Sequence, residues 1–134
     1  MPFAHRIVSE GLAVSADTVY EFASNVENLP KWAAGLTTAV HRDGDHWFAD
    51  SPMGRIRIDM TPRNAFGVLD HDVTDPSGKT FHNAMRVTPS GDGCVLHFVV
   101  LRMPGTSDAD FERDCNTVAD DLRAIGKLLA KPRA

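Results

Sequence analysis

His71 and Asn83 are the two residues of this sequence best placed to do chemistry together. They lie in segments Phe66–Thr74 and Thr80–Thr88, which flank the turn-forming run Asp75-Pro76-Ser77-Gly78-Lys79 and so predict a β-hairpin. Pairing Val73 with Phe81 sets His71 opposite Asn83 and Leu69 opposite Met85. Asp70, Asp72, His82 and Arg86 then share the other face. Sliding the register by one residue mixes polar and apolar side chains on both faces, and register follows the buried face. His71 and Asn83 become polar neighbours on an otherwise dry surface. An imidazole that titrates near the operating pH can serve as general acid or base, and an amide beside it can hydrogen-bond a carbonyl or enolate oxygen. The plainer alternative is a hydrogen-bonded core pair with no catalytic task, because burial also perturbs histidines at purely structural positions.

Around that pair the sequence offers few other groups. Trp32 and Trp47 have apolar bodies with one polar edge, which suits an amphipathic ligand as well as ordinary core packing. Trp47 shares a face with Val40 if Asp43-Gly44 is a two-residue turn. Arg102 follows Leu96, Phe98 and Val100 inward by alternation. It is placed either to meet a ligand carboxylate at a cavity mouth or to pair with a nearby acid. Arg55, Arg57 and Asp59 form a strip expected to face solvent. Cys94 and Cys115 read as buried free thiols, with no cation placed to lower their pKa. The six histidines show no HExxH-like spacing, so no metal site and no cofactor is expected. GxSxG, phosphate-loop and dinucleotide fingerprints are absent.

Elements that could position these residues follow from periodicity. Phe3–Ser9 reads as a strand. Val14–Ala23 is a short helix with Ser15 as N-cap, and Asn28–Trp32 a second one with Pro30 in its first turn. From Gly35 onward the period is two: Leu36–Arg42, Asp45–Asp50, Arg55–Met60, Phe66–Thr74, Thr80–Thr88 and Cys94–Met103 alternate with Gly- and Pro-marked turns. The chain then changes period again. Phe111, Cys115, Val118, Leu122, Ile125 and Leu129 recur at spacings of four and three, one stripe of a helix over Ser107–Lys131 capped by Ser107. Ala119 and Gly126 beside the stripe permit close approach. Asp110, Asp114, Asp120, Asp121, Arg123 and Lys127 fall on the solvent side, and Asp121→Ala is expected to cost about 0.5 kcal/mol or less. Leu122, mid-stripe, is expected to be fully buried. Lys127 and Lys131 sit at the negative end of the helix dipole. Helices segregated from an antiparallel sheet of about seven strands make this an α+β chain, a single domain over 1–134.

Composition excludes several partners. Fourteen basic against 18 acidic residues leave a net charge of −4, which argues against nucleic acid or an anionic membrane as partner. No apolar run is long enough to span a bilayer, and the start MPFAHRIVSE lacks a secretory leader's apolar core, so a cytoplasmic location is expected.

The strand, the segment VSADTVYEFASNVENLPKWAAG, the hairpins and the long final helix together resemble the START-like, or SRPBCC, superfamily. Its bacterial polyketide cyclase/dehydrase-like branch is the most similar. Val14, Ser15, Ala16, Val19, Tyr20, Phe22, Leu29, Pro30 and Trp32 carry that resemblance, and LRMPGTSDADFERDCNTVADDLRAIGKLLA looks like one bacterial branch. The resemblance implies a helix-grip fold, a curved sheet wrapped around the last helix with a cavity between them. Trp32, Trp47, Leu69, Met85, Phe98, Arg102 and Leu122 are the expected ligand contacts. Three functions are open: binding of a small apolar or amphipathic molecule, polyketide- or lipid-like; a polyketide aromatase, cyclase or dehydratase using His71; or an interaction module such as a chaperone activator. The apolar second face of the last strand, Val95, Val99, Leu101 and Met103, motivates the third reading and a homodimer.

Overall fold

The computed structural model describes residues 1–130. Its strands are β1 (His5–Leu12), β2 (Ala39–Asp43), β3 (His46–Ser51), β4 (Gly54–Met60), β5 (His71–Thr74), β6 (Thr80–Ser90) and β7 (Gly93–Leu101). They form one antiparallel sheet in the order β1-β7-β6-β5-β4-β3-β2, so the first strand joins beside the last one. Between β1 and β2 run α1 (Ala16–Ala23), a 3-10 turn (Val26–Asn28) and α2 (Leu29–Trp32). The chain closes with α3 (Asp108–Leu129), which packs on β1, β7, α1 and α2.

Local chemistry explains the boundaries. The Ser15 hydroxyl accepts from Thr18 N–H and starts α1, and the Ser107 hydroxyl accepts from Asp110 N–H at 3.1 Å and starts α3. Gly126 lets α3 lie directly against β1, because a Cβ there would stand 2.7 Å from Leu12 Cδ2. Cys115, Leu122 and Ile125 are the buried residues of α3, and Phe111, Val118 and Leu129 are half-buried along the same stripe. The expected end at Lys131 lies outside the described residues. Ile56, Ile58, Leu69, Met85 and Leu96 share one core cluster with Leu122 and Ile125.

Several boundaries differ from expectation: β1 runs to Leu12 instead of Ser9, β2 starts at Ala39 instead of Leu36, and β7 ends at Leu101 instead of Met103. The β2–β3 turn is Gly44-Asp45, with Asp43 paired to His46. An Asp43-Gly44 turn of the hairpin-favoured type I′ would have required positive φ at an aspartate. The observed turn confines positive φ to Gly44, at +61°. The slip is two residues, an even number, so Trp47 keeps the face of Val40 while standing opposite Arg42 and Ile58. The segment Phe66–Thr74 is a strand only from His71. Asn64 organises the preceding loop, its Oδ1 accepting from Phe66 N–H and Val68 N–H, while Tyr20 Oη accepts from Asn64 N–H. Gly67 crosses Val87 with φ +71° and would place a Cβ 2.2 Å from the Val87 carbonyl oxygen.

Candidate functional site

A half-enclosed cavity of about 440 Å³ opens between the sheet, α2 and α3. The β5–β6 register is the expected one, Val73 with Phe81 and His71 with Asn83, and both polar residues line the cavity. Trp32, Phe98 and Leu122 line it too. Leu69 and Met85 do not: they are 1% exposed, packed into the core beyond the cavity floor. Trp47 packs against the core on β3, away from the opening. Arg102 is also outside the wall. Its guanidinium donates to the Thr106 carbonyl and to Asp108, at 2.6 Å, and so closes the β7–α3 turn. Of the two roles open to it, pairing with a nearby acid is the one realised.

His71 is 5% exposed and its environment fixes its state. Nδ1 lies 3.0 Å from the Leu69 carbonyl oxygen, an acceptor, so the ring hydrogen of the neutral form sits on Nδ1. Burial pushes the pKa of the ring below its ordinary value; the Leu69 carbonyl and the Asp70 carboxylate oppose this only in part. Near neutral pH His71 is uncharged, with Nε2 as a lone-pair acceptor. Nε2 has no hydrogen-bond partner among the described residues, yet it is not among the fully buried unpartnered side-chain atoms, so it presents surface to the cavity. Phe98 meets the ring edge-on, centroids 6.1 Å apart. No hydrogen bond joins His71 to Asn83, so the pair is adjacent in register without being the bonded core pair that was the plainer alternative.

The imidazole of His82 turns the other way. Its Nδ1 lies 2.6 Å from Asp72, and its Nε2 3.4 Å from Asp70, on the outer face. The Asp72 hydrogen bond raises its pKa. Trp32 is 6% exposed, and its indole Nε1 is the fully buried side-chain N or O atom without a partner among the described residues. Cys94 and Cys115 are both buried free thiols whose pKa burial raises, so neither is an activated nucleophile.

One expectation fails here. Asp121 does not stand on the solvent face of α3; it is half-buried and lines the cavity with Val118 and Leu122. Burial, and secondarily the neighbouring Asp120 carboxylate, push its carboxyl up to about 7. The signal was present in the spacing: Asp114, Val118, Asp121 and Ile125 are separated by four, three and four, so they share one helix face. Leu29, Ala33, Leu36 and Met53 add to the wall at α2 and the neighbouring loops; Leu29 was read from the sequence only as part of the family resemblance, and the other three were not expected at a site. Among the described residues, no group of three or more His, Cys, Asp or Glu is placed to hold a metal ion. No helix among them is long and apolar enough to cross a membrane.

The chain belongs to the polyketide cyclase / dehydrase and lipid transport family, whose pattern it matches over residues 7–125. No curated protein matches it by sequence. Among solved structures it is similar to the Aha1 dimer of Colwellia psychrerythraea at TM-score 0.71 and 16% identity, covering 94% of this chain and 96% of that one. It is similar to DynU16, a protein of the dynemicin biosynthetic locus, at TM-score 0.69 and 15% identity, covering 96% of this chain and 48% of that one. It is similar to Ara h 8.0201 at TM-score 0.63 and 10% identity, covering 93% and 96%. These likenesses establish a helix-grip fold.

Proposed function

We propose that this protein binds a small, mostly apolar molecule, polyketide- or lipid-like in character, in the cavity between α3 and the sheet. The observation that carries this reading is the cavity: about 440 Å³, walled by Leu29, Ala33, Val73, Phe98, Val118 and Leu122, with few polar groups converging on it. That composition is the usual one for small-molecule sites, and the volume falls within their usual range of roughly 300–1,000 Å³. Native mass spectrometry of gently purified protein tests it, with expected retention of a small organic molecule. Val118→Trp should fill the cavity from a half-buried position and abolish that retention while leaving the circular dichroism unchanged. Equal retention by the variant would refute the site.

A second reading, a cyclase or dehydratase, is favoured by one particular: His71 is held neutral with Nε2 facing the cavity. It would take a proton from an acidic C–H of a β-keto chain, with Asn83 hydrogen-bonding the enolate oxygen. Unchanged turnover of a polyketide thioester by His71→Ala would refute it. A homodimer is the third reading, supported by exposed apolar side chains on β1 and β7, Ile7 at 60% and Leu101 at 38%, the latter also bordering the cavity. The dimeric Colwellia structure gives this reading a precedent in the fold. Light scattering at rising concentration checks it, and a strict monomer would refute it.

A further inference from the structure

We infer that the ligand of this cavity is an apolar molecule bearing a protonated amine, received by the Asp121 carboxyl and the free His71 nitrogen, and that carboxylate ligands are rejected. The inference rests on the ligand-binding reading above and goes further in naming the head group.

The first ground is charge. Among the residues lining the cavity, Asp114 and Asp121 are acidic and none is lysine or arginine; His82 also borders it, with its imidazole turned outward onto Asp72. The nearby cations are engaged elsewhere: Arg113 with Asp110, Arg123 with Glu10 and Asp120, Arg102 with Asp108. Neither Asp114 nor Asp121 has an ion-pair or hydrogen-bond partner among the described residues. Asp114 is exposed and Asp121 half-buried, so an entering cation meets first one carboxyl and then the other on the same helix face. An unpaired carboxylate beside apolar groups is costly, and a docked cation offsets that cost.

The second ground is independent of charge. His71 is more than nine-tenths buried, its Nδ1–H is occupied by Leu69, and its Nε2 offers the cavity a lone pair with no partner. Apart from the Asn83 amide, which can donate or accept, the cavity therefore presents acceptors. An ammonium brings three donors and no lone pair, which matches an acceptor set. A fatty-acid carboxylate brings only acceptors and negative charge, and would face two carboxyls and a lone pair. Trp32 Nε1–H is a donor but is fully buried, so it does not alter the balance.

A pH dependence follows. Burial holds the Asp121 carboxyl up at about 7, and a cation favours its ionised form. Amine affinity should therefore rise with pH through that region. The other titratable groups are Asp114 and Asp120 on α3, His71 on β5 and His82 on β6, whose imidazole is held outward by Asp72. The parts of α2 and β7 that line the cavity carry no titratable side chain.

The test compares three probes of one shape: 2-naphthylmethylamine, 2-naphthalenemethanol and 2-naphthoate, titrated into the full chain at pH 5.5 and pH 8 by calorimetry. The amine should bind at least about tenfold tighter than the carboxylate at pH 8, a difference of about 1.4 kcal/mol, and this preference should shrink at pH 5.5. Asp121→Asn should bring the ratio towards one, while His82→Gln keeps both the preference and its pH response. Carboxylate binding as tight as amine binding in the unmodified chain would overturn the inference without any variant. Alcohol binding with no amine preference would overturn the head group and leave the apolar cavity standing. Binding of none of the three would overturn both.

Discussion

Replacing Asp121 by asparagine should stabilise this protein, and only above a definite pH. A free aspartate titrates near 3.8, whereas the Asp121 carboxyl is pushed up to about 7 by burial and then by Asp120. A carboxyl whose folded pKa lies above its unfolded one prefers the folded state when protonated. The penalty is therefore absent below about pH 4, grows as pH rises from there to about 7, and is constant above. Fully converted, that shift is an upper bound of about 4 kcal/mol; because the side chain is only half-buried, about half survives solvent screening. Asparagine keeps the shape and removes the charge, so Asp121→Asn should gain about 2 kcal/mol at pH 8 and almost nothing at pH 4. Urea denaturation of both proteins at pH 4, 5, 6, 7 and 8 measures this. The difference between them cancels the titration of every other group, including His82. Parallel stability curves across that range would show that the carboxyl is solvated like any surface aspartate. The cavity wall along α3 would then be wrong. Asp120→Asn, on the exposed side, should show far less.

Further expectations concern the fold that carries the site. Leu122→Ala should cost about 2–3 kcal/mol by denaturation, the low end for a buried leucine, because a cavity already lies against part of its surface. Gly67→Ala should cost about 3 kcal/mol or more, since it combines positive φ with a backbone clash, whereas Gly78→Ala, at positive φ but in open space, should cost about 1 kcal/mol. Ser107→Ala should lower stability by about 1 kcal/mol through loss of the α3 cap, read from the thermal midpoint.

What the sequence could reveal depended on how strongly one face was specified. The β5–β6 register was legible because His71, Val73 and their partners alternate strictly with Asp70, Asp72 and His82, and a one-residue slip puts a charge inside. The α3 stripe was legible for the same reason at a period of 3.6. The β2–β3 turn was not, because Asp43, Gly44 and Asp45 are all turn formers, and only the backbone requirement for positive φ distinguishes the two turns. The loop before β5 was hidden because Phe66 and Val68 read as strand residues, while the deciding interaction is the Asn64 side chain holding their amides. For Asp121, residue type and position point opposite ways: a carboxylate suggests solvent. Its spacing from Val118 and Ile125 puts it on the inner flank of the helix, and a cavity, unlike a dry core, leaves room for a carboxyl there.

The place of β1 beside β7 has a consequence for how the chain reaches this structure. All eight of its residues pair with a strand made almost a hundred residues later, from Leu12 with Cys94 to His5 with Leu101. During synthesis β1 emerges first and waits, its edge unsatisfied, while every other strand of the sheet finds a neighbour close in sequence. Closing so long a loop is entropically costly and slows folding. A waiting strand is also a template for the wrong partner. The composition of β1 tempers that hazard: Arg6 and Glu10 keep the strand charged and hydrated, and Gly11 weakens its strand propensity. Once β7 and α3 exist, Arg6 finds Glu112 and Glu10 finds Arg123, both on α3. The charges that protect the solitary strand thus become the ties that hold it to the last helix made.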